Sequence, residues 1–149
     1  MIIAQETPHQ PDVIALIAQS DAVAASLYPP QSRHGVDIDT LAAPHVRFFV
    51  ARAQGVPLGC IGVAFGPAGF AEVKRLFVHD AARGQGVGQA LVQTAIDTAR
   101  AGGVQHLRLE TGPDSVAALR LYTRAGFTRC PRFDPYADDP LSVFMERAL

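Results

Sequence analysis

At 149 residues and a formal net charge of −1, the chain has the length of one ordinary domain, expected to span 1–149, and no charge excess to draw it to nucleic acid or an anionic membrane. Apolar residues make up 48%, enough for a substantial core, yet no run is long enough to span a bilayer. Cys60 and Cys130 are too few and too far apart for a disulfide framework or a paired-cysteine metal site, and His9, His34, His45, His79 and His106 show no ligand spacing, so no metal is expected. Twelve of the thirteen basic residues are arginine, scattered along the chain, and Lys74 stands alone. The N-terminus carries Glu6 and Asp12 rather than a basic and then apolar leader, which makes a cytoplasmic location the expectation.

Ile2 to Gln5 reads as a short first strand. Thr7 with Pro8 offers a helix start, followed by Val13, Leu16, Ile17 and Ser20 at helical spacing. Pro29-Pro30 breaks that helix, and Tyr28 to Asp39 reads as a loop or short turn holding Arg33 and His34. Strands follow at 46–52, 58–65 and 70–78, separated by the turns Gln54-Gly55-Val56-Pro57 and Gly66-Pro67-Ala68-Gly69, so the three form an antiparallel meander.

A helix is expected from Gln89 to Arg100, with Leu91, Val92, Ala95, Ile96 and Ala99 on one stripe and Gly102-Gly103 as its stop. A strand at 106–111 leads to a second amphipathic helix capped by Asp114 or Ser115 and ended by Gly126. A short strand at 127–130, a loop from Pro131 to Pro140 and a last strand at 141–145 close the chain. Strands in a run, then strands alternating with helices, indicate a mixed α/β architecture.

The most informative stretch is Arg83-Gly84-Gln85-Gly86-Val87-Gly88, between a strand and a helix. Glycines in alternate positions let the backbone approach a bulky group. The helix start adds unpaired N–H groups and the positive end of its dipole, so the segment suits a pyrophosphate. It is not a P-loop, because no Gly-Lys-Ser/Thr occurs, and it is not a dinucleotide fingerprint, because the third glycine would fall on Gln89. The plain alternative is a tight turn with no ligand.

With Glu72-Val73-Lys74-Arg75-Leu76-Phe77-Val78 before the glycines, and Ala118-Leu119-Arg120-Leu121-Tyr122 and Gly126-Phe127 after them, the chain resembles the GCN5-related N-acetyltransferase (GNAT) superfamily. The resemblance implies an α/β (α+β) fold: a mixed, mostly antiparallel central sheet of about six to seven strands with helices on both faces, opening like a wedge between strands 70–78 and 106–111. It implies acetyl-CoA as cosubstrate. The pyrophosphate would rest on the amides of Arg83, Gly84, Gln85, Gly86, Val87, Gly88 and Gln89. The pantetheine would run along the main chain of Leu76 and Val78 as an added half-strand.

Acetyl transfer needs a neutral amine, a stabilised carbonyl oxygen and a proton for the departing thiolate. By the resemblance, Tyr122 is the acid to the sulfur and Glu72 the base, and a main-chain N–H near Phe77 or Val78 stabilises the oxygen. Glu110 is a second candidate base. Alternation along the strand sets Glu72 on one face with Lys74 and Leu76. Other readings stay open: Tyr122 as a packed core residue, and Glu72 as an ion-pair partner of Lys74 or an arginine. Many relatives carry Asn where this chain has Ser115, so Ser115 is a weaker candidate for a cofactor contact. For the acceptor, Tyr28, Arg33, His34, Glu110 and Tyr136 are candidates, with Asp134, Asp138 and Asp139 able to attract a cationic amine. Neither cysteine has a histidine partner near the expected centre, which favours direct attack on acetyl-CoA by a small-molecule amine over an acyl-enzyme. A non-catalytic acyl-CoA sensor is the alternative. A homodimer through the last strands is compatible with this fold, and one sequence does not fix it.

Overall fold

The computed structural model describes residues 1–149 as one seven-stranded sheet flanked by helices. The elements run β1 (Ile2–Gln5), α1 (Pro11–Leu27), α2 (Ile38–Leu41), β2 (Val46–Ala53), β3 (Val56–Phe65), β4 (Phe70–Val78), α3 (Val87–Ala101), β5 (His106–Thr111), α4 (Val116–Arg124), β6 (Thr128–Arg129) and β7 (Val143–Ala148). The strand order is β1-β2-β3-β4-β5-β7-β6. Every neighbouring pair is antiparallel except β4 and β5.

Two cores lie on the two faces. Leu91, Val92, Ala95, Ile96 and Ala99 of α3 pack with Val73, Leu107, Leu109 and Tyr122 on one side. Val13, Leu16 and Ile17 of α1 pack with Leu41, Phe48, Cys60 and Phe77 on the other. The stripes anticipated for both helices are therefore the buried ones.

Several boundaries move, each for a local reason. Helix α1 begins at Pro11 rather than near Pro8, with Gln10 extended at φ −135° and ψ 138°. A residue that precedes proline avoids helical angles, so the second proline, not the first, takes the opening position. Helix α3 starts two residues before Gln89, at Val87, because Gly86 adopts φ +80° and turns the chain directly into it. The last strand starts at Val143, since the Asp139 carboxylate accepts the Leu141 N–H (2.8 Å) and holds that stretch in a turn. It then runs on to Ala148, paired with His106. Between Pro29 and Asp39 the chain makes a 3-10 turn over Pro30–Ser32 before α2.

One irregularity shapes the site. Cys60 faces Phe77 and Gly62 faces Lys74, so Arg75 and Leu76 together oppose Ile61, and Arg75 sits at φ +55°. This is a β-bulge, and it inverts the side-chain alternation downstream. Val73 belongs to the α3-side core, yet Phe77 belongs to the α1-side core, while Leu76 and Val78 pack toward α3. Leu76 therefore does not share a face with Glu72 and Lys74, as simple alternation predicts. The guanidinium of Arg75 secures the bulge by donating to the Val36 carbonyl (2.9 Å) and pairing with Asp21.

Candidate active site

The sheet opens where the family resemblance implied a wedge. Parallel β4 and β5 pair only at Phe70–His106, Ala71–Leu107 and Glu72–Arg108. Beyond Glu72 the two strands part, and the β4 edge from Val73 to Val78 faces the opening. His79 donates its N–H to Leu58 of β3 (2.8 Å), and the Phe77 carbonyl lies against Gly59 of β3. Main-chain groups alternate sides along a strand, so those of Leu76 and Val78 point into the opening. Phe77 is turned the other way, which leaves Leu76 and Val78 as the main-chain donors for an extended ligand or a developing oxyanion.

At the mouth of the opening, the turn Asp80–Ala82 leads through the glycine segment into α3. The N–H groups of Gly84, Gln85, Gly86, Val87, Gly88 and Gln89 have no partner within the protein. The N–H of Arg83 differs: it bonds the Asp80 carbonyl (3.3 Å) and closes the turn, and its exposed guanidinium pairs with the Asp80 carboxylate (3.2 Å). Six consecutive free amides at the start of a 15-residue helix make a strong anion cradle. At Gly84 and Gly86, both at positive φ, an added Cβ would meet no protein atom. Their glycines thus serve the backbone conformation and the open approach rather than internal packing.

Tyr122 packs in the core on the α3 side of the sheet. It is buried, stacks edge-on with Phe127 (5.6 Å between centroids), and its hydroxyl makes no hydrogen bond within the protein. Burial, and then the charge of Glu110, push the phenol well above its ordinary range, so it stays protonated. A buried tyrosine held only for packing generally has its hydroxyl satisfied.

From the opposite face come Glu72, Lys74, Glu110 and Tyr136. Lys74 Nζ donates to Glu72 Oε2 and to Tyr136 Oη (both 2.8 Å), and the Tyr136 hydroxyl makes a short bond to Glu72 Oε2. The Glu72 carboxylate is thus closed into a network with a cation and a phenol. Glu110 is different. It accepts from Ser142 Oγ (2.6 Å) and lies 3.9 Å from His34 Nε2, and burial lifts its carboxyl to about 7, with the charge of Glu72 adding to the shift. A carboxylate with that affinity for protons, on a sheet opening, is what a general base at neutral pH requires.

Other anticipated residues divide clearly. His34 and Tyr136 meet edge-on (5.2 Å) beside Glu110. Tyr28 is a strut: its hydroxyl bonds Ser115 Oγ (2.9 Å) and accepts the Asp114 N–H (3.0 Å), and a Cβ on Gly112 would overlap its ring. Ser115 occupies the N-cap of α4 without a side-chain capping bond, because its hydroxyl is spent on Tyr28. Arg33 is exposed, and its Nε donates to the Tyr28 carbonyl (2.8 Å). Asp138 pairs with Arg132 (3.3 Å), while the Asp139 carboxylate is held by Ser32 Oγ (2.6 Å). A cleft of about 470 Å³ is lined by Ser32, His34, Asp138, Asp139 and Leu141 among others. Cys60 is buried with its thiol pushed up to about 12, and no nucleophile can be drawn from it. The sequence held no signal for Ser142, and Lys74 was visible only as a partner for Glu72.

The acetyltransferase (GNAT) family model matches residues 16–127. The chain belongs to the GNAT family. It is an acyl-CoA-dependent N-acetyltransferase. It is 44% identical over 148 residues to the IAA acetyltransferase of Azospirillum brasilense, covering 99% of this chain and 97% of that one. A crystal structure of a Klebsiella pneumoniae chain assigned to the acyl-CoA N-acyltransferases superposes with a TM-score of 0.84 at 37% identity, over 99% and 97% of the two chains. A Bacillus subtilis acetyltransferase solved in complex with CoA shares the fold at a TM-score of 0.73 and 16% identity, covering 99% and 97%. GNAT acetyltransferases use acetyl-CoA, and the free amides of residues 84–89 fit its pyrophosphate.

Proposed function

We propose that this GNAT domain, residues 1–149, moves the acetyl group of acetyl-CoA to a primary amine of a small molecule by direct attack, with Glu110 as the base and Tyr122 as the acid. The observation that carries this reading is the disposition of two proton-holding groups about one opening. Glu110, lifted to about 7, stands on β5 beyond the last β4–β5 pair, and Tyr122, whose hydroxyl bonds no protein group, packs on the α3 side close enough to feel the Glu110 charge.

The diphosphate of acetyl-CoA rests on the amides of Gly84 to Gln89, and the pantetheine follows the main chain of Leu76 and Val78 into the opening. The amine enters by the cleft beside His34 and Tyr136. Glu110 takes its proton, and the nitrogen attacks the thioester carbonyl. An N–H of the β4 edge, from Leu76 or Val78, steadies the oxyanion. Tyr122 donates a proton to the sulfur as the carbon–sulfur bond breaks, and the second proton that the nitrogen loses as the amide forms restores the phenol. Lys74 and the Tyr136 hydroxyl both occupy Glu72 Oε2, so Glu72 acts by orienting Tyr136 rather than by accepting the proton. The acidic cleft and the carboxylates within it favour a cationic acceptor.

The test is a thiol-release assay across amines, polyamines, amino acids and IAA, the compound for which the Azospirillum relative is named. Intersecting initial-velocity patterns with the best acceptor support direct attack. Parallel lines, the pattern of a covalent acyl-enzyme, would refute it.

A further inference from the structure

Arg108 has no part in the chemistry above. It stands on β5 between the buried Leu107 and Leu109, so its side chain leaves the sheet on the same face as Glu110. No carboxylate pairs with it: Glu72 is engaged by Lys74 and Tyr136 and Glu110 by Ser142, and Glu146, its cross-strand neighbour on β7, lies beyond ion-pair distance. In place of an ion pair, the guanidinium lies between two rings, with Cζ 4.3 Å from the centroid of Phe70 and 4.2 Å from that of Phe133.

An unpaired arginine on a sheet face would ordinarily extend its head into water. A planar, weakly hydrated guanidinium is instead held well between two aromatic faces, each presenting its negative quadrupole. The two rings come from different parts of the fold. Phe70 opens the rigid strand β4, whereas Phe133 belongs to the loop between β6 and β7. Phe133 then meets Tyr136 edge-on (5.3 Å), and Tyr136 carries the hydroxyl that bonds Glu72. The loop is also tied to the fold by Asp139 on Ser32 Oγ (2.6 Å), by the Tyr136 hydroxyl on Glu72 and by Phe133 against Phe144 (5.4 Å), whereas the exposed pairs of Arg132 with Asp134 and Asp138 lie within the loop and contribute little in water.

We infer that Arg108 is a positioning residue for the acceptor: the Phe70–Arg108–Phe133 stack clamps the loop Pro131–Pro140 onto the sheet, and so places Tyr136 at the acceptor side of the reaction centre. The inference about the acceptor rests on the reading of Glu110, His34 and Tyr136 given above. The clamp itself does not.

The test combines trypsin cleavage after Arg132 in the free enzyme with steady-state kinetics for Arg108→Ala, Arg108→Lys, Phe133→Leu and the Arg108→Ala/Phe133→Leu double variant. Arg108→Ala should speed cleavage after Arg132 about 10-fold, as local opening becomes more frequent. It should raise the acceptor KM about 10-fold while the acetyl-CoA KM stays within about twofold. Arg108→Lys, which keeps the charge but loses the flat two-sided stack, should fall between. The double variant should be no worse than the worse single variant, because both break one clamp. Phe133→Leu carries the same prediction should Arg108→Ala fold poorly. Unchanged cleavage in both single variants overturns the clamp. Loss confined to carboxylate-bearing acceptors, with cleavage unchanged, makes Arg108 a direct anion contact and overturns it equally. Faster cleavage with no change in acceptor KM keeps the clamp and removes its link to the acceptor.

Discussion

The two halves of the proposed site are made of different material. The acetyl-CoA half is main chain: six free amides at the start of α3 and the opened edge of β4. The acceptor half is side chains, with Glu72 and Lys74 from β4, Glu110 from β5, His34 from the segment before α2, and Tyr136 and Ser142 from the loop before β7. A backbone site tolerates almost any side chain but demands particular φ angles and room for close approach. A side-chain site demands particular residues at positions far apart in the chain and leaves the backbone ordinary. Substitutions should therefore separate the halves cleanly, glycine changes acting on acetyl-CoA and acidic or aromatic changes on turnover and acceptor.

The largest effect should come from Glu110→Gln. Losing a general base costs about 100-fold or more in kcat, with the acetyl-CoA KM little changed. Tyr122→Phe should lower kcat about 10- to 100-fold with acetyl-CoA affinity unchanged by calorimetry, since the ring and its stack on Phe127 remain. A merely structural tyrosine would leave turnover intact.

Gly86→Val sharpens the other side of the comparison. A β-branched residue at φ +80° is strained by about 1–2 kcal/mol and distorts the cradle, so the acetyl-CoA KM should rise about 10-fold while the acceptor KM holds. Equal losses for both substrates would blur the division. Glu72→Gln should be milder than Glu110→Gln, a few-fold in kcat, because Lys74 and Tyr136 remain to order the face.

The smallest expected effect is on stability. The folded carboxyl of Glu110 is raised from 4.5 to about 7, so between those values the native state binds the extra proton and stability falls as pH rises. Above pH 7, Glu110→Gln should therefore stabilise the fold by about 1–2 kcal/mol, allowing for residual solvent screening. Thermal melts of both proteins at pH 5 and pH 8 would show it, the gap widening at pH 8.

The same contrast explains what the sequence revealed. The segment 83–89 was legible because a glycine pattern encodes main-chain geometry directly. The two helical stripes and the meander were equally legible, since each repeats at the period of its own structure. The acceptor half was legible only as a set of candidates. Tyr28 and Glu110 are both polar residues near element ends, yet one is bound to Ser115 and Asp114 as a strut and the other faces the opening, a difference made entirely by tertiary contacts. The bulge at Arg75 was hidden for a related reason. Alternation predicts Leu76 beside Glu72, but a non-glycine residue at φ +55° leaves no mark in the sequence.

The pH dependence of kcat/KM for the acceptor at saturating acetyl-CoA, measured for the parent, Glu72→Gln and Glu110→Gln, tests the assignment of the base most directly. A limb near pH 7 that survives in Glu72→Gln and vanishes in Glu110→Gln is the predicted result. A limb that vanishes in Glu72→Gln and persists in Glu110→Gln would contradict it and return the proton to Glu72.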